Sequence, residues 1–158
     1  MNNIRKILVC GLNNSGKTTL STELAKQLNG VHLNANYIRK HLSIDLSFSL
    51  EDRIENARRM GVLADIVANS GHYVIADFIC PVEQAREAFN AYDGSVFIVW
   101  MNTVKPKDNE YKDTAIIFTP PRNYDFEVTE FYNVEKMALD IIRELHYLSV
   151  KDRSNYNI

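Results

Sequence analysis

Near the N-terminus, the residues Gly11-Leu12-Asn13-Asn14-Ser15-Gly16-Lys17-Thr18 constrain the fold more than any other stretch. Their spacing fits G-x-x-x-x-G-K-[ST], a loop that closes its backbone around phosphate groups. The neighbours agree with that reading. Ile4 to Cys10 is a short apolar run after a polar start, and Thr18 to Leu28 carries apolar residues at Leu20, Leu24 and Leu28. This is the pattern of strand, glycine loop and helix. Gly11 and Gly16 let the backbone turn its N–H groups inward, and the start of the helix adds its positive dipole end. Lys17 is expected to neutralise the β- and γ-phosphates, and Thr18 to place its hydroxyl on Mg²⁺. Asn13, Asn14, Ser15 and Thr19 complete the expected nucleotide set, so ATP and Mg²⁺ are the expected cofactors.

Composition narrows what surrounds this loop. A chain of 158 residues, 46% hydrophobic and 24% charged, is long enough to bury one full core, with residues 1–150 expected as a single domain and 151–158 as a frayed tail. The net charge of -2 gives no electrostatic reason to expect duplex nucleic acid as a partner. Cys10 and Cys80 stand in apolar, strand-like contexts without paired metal spacing, as reduced thiols of a cytoplasmic protein would. No apolar run approaches the roughly 18 residues that span a bilayer, and no signal pattern opens the chain.

In chain order, Asn29-Gly30 stops the first helix, Val31 to Leu33 reads as a second strand, and Asn34 is placed to cap a short helix over 36–41. Leu50 opens a longer helix to Ser70, with acids in its first turn and Gly71 beyond its end. Tyr73 to Ala76 is apolar on both faces, as a central parallel strand is, and delivers Asp77 at its carboxyl end. A helix is expected from Pro81 through Asn90, and a buried strand over Ser95–Met101. The polar stretch from Asn102 to Asn123, with three of the four prolines, is too long for a plain connection. A last strand over 125–128 precedes a closing helix with Val134, Met137, Ile141 and Leu145 on one face. This alternation predicts a three-layer α/β/α sandwich and, with the phosphate loop, a P-loop kinase fold.

The middle of the chain is more specific. Leu33-Asn34-Ala35-Asn36-Tyr37-Ile38-Arg39, Asp45-Leu46-Ser47-Phe48-Ser49 and Glu51 to Gly61 follow the loop in order. They resemble the adenylylsulfate kinase family, whose patterns run L-[DN]-[GA]-D-x-[IV]-R and D-L-G-F-S-x-E-D-R-x-E-N-x-R-R. The resemblance reaches from the first strand to about Pro81, with a fainter echo at Phe118 and Thr119. It implies a parallel sheet of order 2-3-1-4-5, transfer of the ATP γ-phosphate to the 3′-hydroxyl of adenylylsulfate, and a homodimer. It also makes Asn36, Arg39, Arg53, Asn56 and Phe118 substrate contacts, with Phe48 stacked on the adenine. Chemistry is compatible with each role. Arg53 and Asn56 lie one helical turn apart and can converge on an anion. Phe48, in a serine-rich loop, either plugs the core or stacks on a ring.

At three places the chain departs from the family. Its aspartate, a candidate acceptor base, is Asn36, and an amide takes no proton at neutral pH. The serine of its I-S-P segment is Cys80, which excludes a phosphoserine route. Its lid, L-Y-K-K-A-R before F-T-G, is shortened to Glu110–Ala115, losing at least one cation. Asp77, where the family has a small or apolar residue, is expected to hold Mg²⁺ or replace the lost base; the competing reading is a cap for the helix after Pro81. Lys17, Asp77 and Asn36 are the candidate catalytic residues, and Thr18 and Asp77 the candidate metal residues. Two other functions stay open, a kinase of the same family acting on another hydroxyl and a nucleotide-binding protein without turnover.

Overall fold

The computed structural model describes residues 3–91 and 95–154, with side chains to Lys151. Among these residues five strands form one parallel sheet: β1 (Lys6–Gly11), β2 (Val31–Asn34), β3 (Val74–Asp77), β4 (Val96–Met101) and β5 (Phe126–Val128). Their spatial order is β2-β3-β1-β4-β5, as the family resemblance implied. β1 is buried along its whole length because it pairs on both sides, with β3 and with β4. A strand so placed meets helices on both faces, which is why its sequence is apolar without alternation.

The helices are α1 (Lys17–Leu28), α2 (Ala35–His41), α3 (Leu50–Asn69), α4 (Glu83–Phe89), α5 (Lys112–Ile117) and α6 (Val134–Ser154). Two cores lie on opposite sides of the sheet. Leu8, Cys10 and Ala76 face Ala57, Met60 and Ala64 of α3 and Phe89 of α4. Ile7, Val9 and Val99 face Leu20 and Leu24 of α1 and Met137, Ile141 and Leu145 of α6. No helix among the described residues is long and apolar enough to cross a membrane.

Lys6 stands fully buried in this apolar setting. Its ammonium donates to Asp65 of α3 at 2.7 Å and to the Phe89 carbonyl at 2.6 Å, which offsets the cost of taking the charge out of water.

Most boundaries fall within a residue or two of those expected, and the exceptions have local causes. The helix expected at Pro81 begins at Glu83, with Val82 as its cap residue. The Pro81 carbonyl accepts instead from the Thr119 N–H at 2.8 Å, so the returning chain takes the acceptor a helix would have used. The long polar stretch holds a 3₁₀ turn at Pro106–Asp108 and then α5. α6 continues past Val150 to Ser154, because Ser149 is still buried and donates to the Leu145 carbonyl; residues 155–158 of the expected tail lie outside the described residues.

Candidate active site

The carboxyl ends of β1, β2 and β3 open into a cleft of about 400 Å³. Ligands of open parallel sheets sit at such strand ends, where loops and helix N-termini converge. The phosphate loop forms one wall. Gly11 (φ 147°) and Gly16 (φ 94°) take conformations that a side chain rarely adopts, and Asn14 (φ 62°) is left-handed as well. A Cβ on Gly16 would meet the Phe131 ring at 2.4 Å, and one on Gly11 the Met101 carbonyl at 2.5 Å. The loop is therefore held from behind as well as bent.

Other segments steady it. Thr103 donates to the Ser15 carbonyl at 2.8 Å, Asn109 to the Asn13 carbonyl at 3.3 Å, and the Asn14 amide to Glu110 at 2.8 Å. The Lys17 ammonium donates to the Leu12 carbonyl at 2.6 Å, and burial lowers its pKa to about 8 against the opposing pull of Asp77. A cation so desolvated is stabilised by an anion brought beside it.

Asp77 ends β3 and is nearly fully buried. One carboxylate oxygen, Oδ1, accepts from the Thr18 hydroxyl at 3.2 Å. The other, Oδ2, accepts from Asn34 Nδ2 at 3.2 Å and is paired with His32 Nε2. Asp77 caps no helix, so the competing reading of this residue is removed. Thr18 and Asp77 together offer a hydroxyl and a carboxylate oxygen beside the phosphate loop, a donor set that suits a hard divalent ion. Among the described residues no group of three His, Cys, Asp or Glu side chains forms a metal cage. An ion here would take its remaining ligands from phosphate and water.

The facing wall comes from α2, the loop after it and α3. Arg39, Phe48, Arg53 and Asn56 all line the cleft, and Asn36 lines it from the first turn of α2. Phe48 is 68% exposed, so it does not plug the core; its ring lies 4.5 Å from the Arg39 guanidinium and 5.5 Å from that of Arg53. The loop that presents it is a reciprocal helix cap. Ser49 accepts from the Asp52 N–H at 3.2 Å, while Asp52 accepts from the Ser47 N–H at 2.8 Å and hydroxyl at 2.6 Å.

Arg39 donates to the Ser47 carbonyl at 3.0 Å and Arg53 to the Phe48 carbonyl at 2.9 Å. Burial lowers the pKa of both guanidiniums, and the charge of Arg53 adds to the effect on Arg39. Two cations converge where an anion would relieve them. Asn56, 2% exposed, turns an Oδ1 that no protein donor satisfies. That oxygen is itself shielded from solvent, so a ligand donor reaches it only if the cleft wall shifts.

Of the expected contacts, Phe118 alone among the facing residues does not line the cleft: it ends α5 and lies 5.7 Å from the buried Arg86 guanidinium. Arg86 also donates to the Thr119 carbonyl, which fastens the end of the lid to α4. Cys80 lines the cleft but is buried, and burial raises its thiol pKa well above the usual range. The sequence reading gave no role to His32 or Phe131, and it placed Tyr111 and Thr114 in the shortened lid without naming them as contacts. Tyr111 lines the cleft beside the loop, and Thr114 accepts from Arg53 at 3.4 Å. His32 left a signal in its spacing, as it precedes Asn34 by two on a strand and so shares its face.

The family model for adenylylsulphate kinase matches residues 4–134. An adenylyl-sulfate kinase of Halothermothrix orenii is 30% identical in an alignment that covers 85% of this chain and 85% of that protein. One of Shewanella halifaxensis is 40% identical over 56% of this chain and 46% of its own. For several curated relatives the matched part spans about half of their length. Among solved structures, an APS kinase of Mycobacterium tuberculosis in complex with AMPPNP and APS superposes with a TM-score of 0.77 at 24% identity, covering 92% of this chain and 99% of that one.

Proposed function

The chain belongs to the adenylylsulfate kinase family, and on that premise we propose that it transfers the γ-phosphate of ATP to the 3′-hydroxyl of adenylylsulfate, giving 3′-phosphoadenylylsulfate. The observation that carries the proposal is the two-walled cleft, with a phosphate loop facing Arg39, Phe48, Arg53 and the unsatisfied Asn56. A nucleotide with an aromatic base and an anionic end suits that second wall: Phe48 stacks the base, and the two arginines draw the charge.

The chain's own groups act mainly by positioning, which suits a reaction with a loose transition state. N–H groups of residues 11–19 cradle the donor phosphates. Lys17 leaves the Leu12 carbonyl for the β- and γ-oxygens and holds its charge against them. Thr18 and Asp77 are the residues that would hold Mg²⁺, which when bound supplies neutralisation of phosphate charge. Asn36 stands where the family keeps an aspartate and orients the acceptor hydroxyl by hydrogen bonding, without taking its proton. Asn56 lines the acceptor wall one helical turn from Arg53 and contributes its amide to holding the acceptor. Self-association as a homodimer belongs to the same proposal, and sedimentation velocity reads it.

The test is to incubate the purified protein with ATP, Mg²⁺ and adenylylsulfate and to follow the products by ³¹P NMR. A new phosphomonoester on the 3′ carbon is expected. ADP formation without that resonance would reject the acceptor assignment.

A further inference from the structure

We propose that His32 is a positioning residue for the phosphoryl transfer: its imidazole locks the Asp77 carboxylate so that one oxygen stays aimed at Thr18 and the phosphate end of the cleft. This rests on the kinase reading above, yet the chemistry is written in this chain's own residues. β2 and β3 pair in parallel, with Asn34 opposite Asp77 and His32 opposite Ile75. Side chains alternate along a strand, so His32, Asn34 and Asp77 share one face of the sheet, the face toward α1 and Thr18.

A carboxylate has about four lone-pair sites, two on each oxygen. At Asp77 both sites of Oδ2 are used, by His32 Nε2 and Asn34 Nδ2, whereas Oδ1 accepts only from Thr18 at 3.2 Å. The oxygen with spare capacity is the one beside the phosphate loop. Asn34 cannot hold this orientation by itself. Its Oδ1 caps α2 on the Tyr37 N–H at 3.1 Å, and its Nδ2 is shared between Asp77 and the Thr18 oxygen, 3.5 Å away. His32 makes the undivided contact, with its side chain 20% exposed against 4% for Asp77. Without it the carboxylate keeps only the Thr18 hydroxyl and the shared Asn34 amide, both at 3.2 Å, to set a terminal torsion that has no steep wells of its own.

His32→Leu removes the donor at similar bulk, His32→Asn leaves an amide too short to reach, and His32→Gln keeps an amide within reach. Mn²⁺ is titrated into the protein–ATP complex and followed by electron paramagnetic resonance, and kcat and KM are measured beside it. H32L and H32N should each weaken Mn²⁺ binding and lower kcat by about tenfold, as loss of a partner behind a metal ligand does, with the adenylylsulfate KM within about twofold. H32Q should recover both to within about threefold. On a D77N background H32L should change nothing further, because the group it aims is gone.

Parent-like Mn²⁺ binding and kcat in H32L and H32N would overturn the proposal. So would an H32Q as impaired as H32L, or a further tenfold fall in the D77N background. A parent that binds Mn²⁺ and ATP but turns over no adenylylsulfate would reject the kinase reading and leave the Mn²⁺ comparison to decide His32.

Discussion

Lys17 illustrates how a single side chain carries a cost in the fold that the reaction recovers. Burial lowers its pKa from 10.5 to about 8, so between these values the unfolded chain holds a proton that the folded one has lost. Stability contributed at this site therefore rises as pH climbs from 8 to 10.5, and below 8 the folded protein bears a disfavoured charge. Lys17→Met should then melt at or above the parent at neutral pH, with the advantage shrinking toward pH 10.5, as differential scanning calorimetry would show. Activity runs the other way. The parent's kcat/KM for ATP should decline above pH 8 as free Lys17 deprotonates, and Lys17→Met should lose turnover by about 10²-fold or more. Asp77→Asn keeps the size but deletes the charge. Turnover should fall by about 10²-fold, and the Mg²⁺ needed for half-maximal rate should rise if the carboxylate serves the metal. A shifted pH profile with unchanged Mg²⁺ demand would instead make it a base, and then Asn36→Asp should rescue it.

At the scale of the element, the motif spanning Asp45 to Gly61 is largely scaffold. Arg59 forks onto Asp45 at 2.7 Å and also donates to Glu55 at 2.9 Å, while Ser47, Ser49 and Asp52 close the helix start. These contacts hold the loop against α3 so that Phe48, Arg53 and Asn56 stand in the cleft. The sequence pattern could match without showing which members touch substrate, because scaffold and contact residues alternate along one helix. Arg53→Ala and Asn56→Ala should raise the adenylylsulfate KM by about tenfold or more, the size of one charge-assisted hydrogen bond, with ATP affinity nearly unchanged in a calorimetric titration. Arg59→Met should give a smaller rise in the same constant, since it acts through the loop. An equal loss of ATP affinity would assign α3 to the donor.

Across the whole molecule, legibility followed distance along the chain. The phosphate loop, its flanking strand and helix, and the acceptor motif each lie in a continuous run, where spacing alone conveys geometry. The pairing of His32 with Asp77 requires the register of β2 on β3. Phe131 behind Gly16 and Glu110 on Asn14 come from segments that only the closed sheet brings back to the loop. Lys6 belongs to this scale too: read as part of a strand, it is a fully buried cation joined to Asp65 across two layers. Asp65→Ala should cost about 3–5 kcal/mol in urea denaturation, because it strands that charge, whereas replacing both partners by apolar residues should cost much less.

The measurement that reaches the central claim most directly is the rate of ADP release with a panel of acceptors at equal concentration: adenylylsulfate, AMP, adenosine and a simple polyol. Two arginines and a stacking ring opposite a phosphate loop predict that adenylylsulfate is turned over fastest and that Arg53→Ala narrows its lead. A protein that hydrolyses ATP at one rate whatever the acceptor, or that favours an uncharged alcohol, would contradict the account.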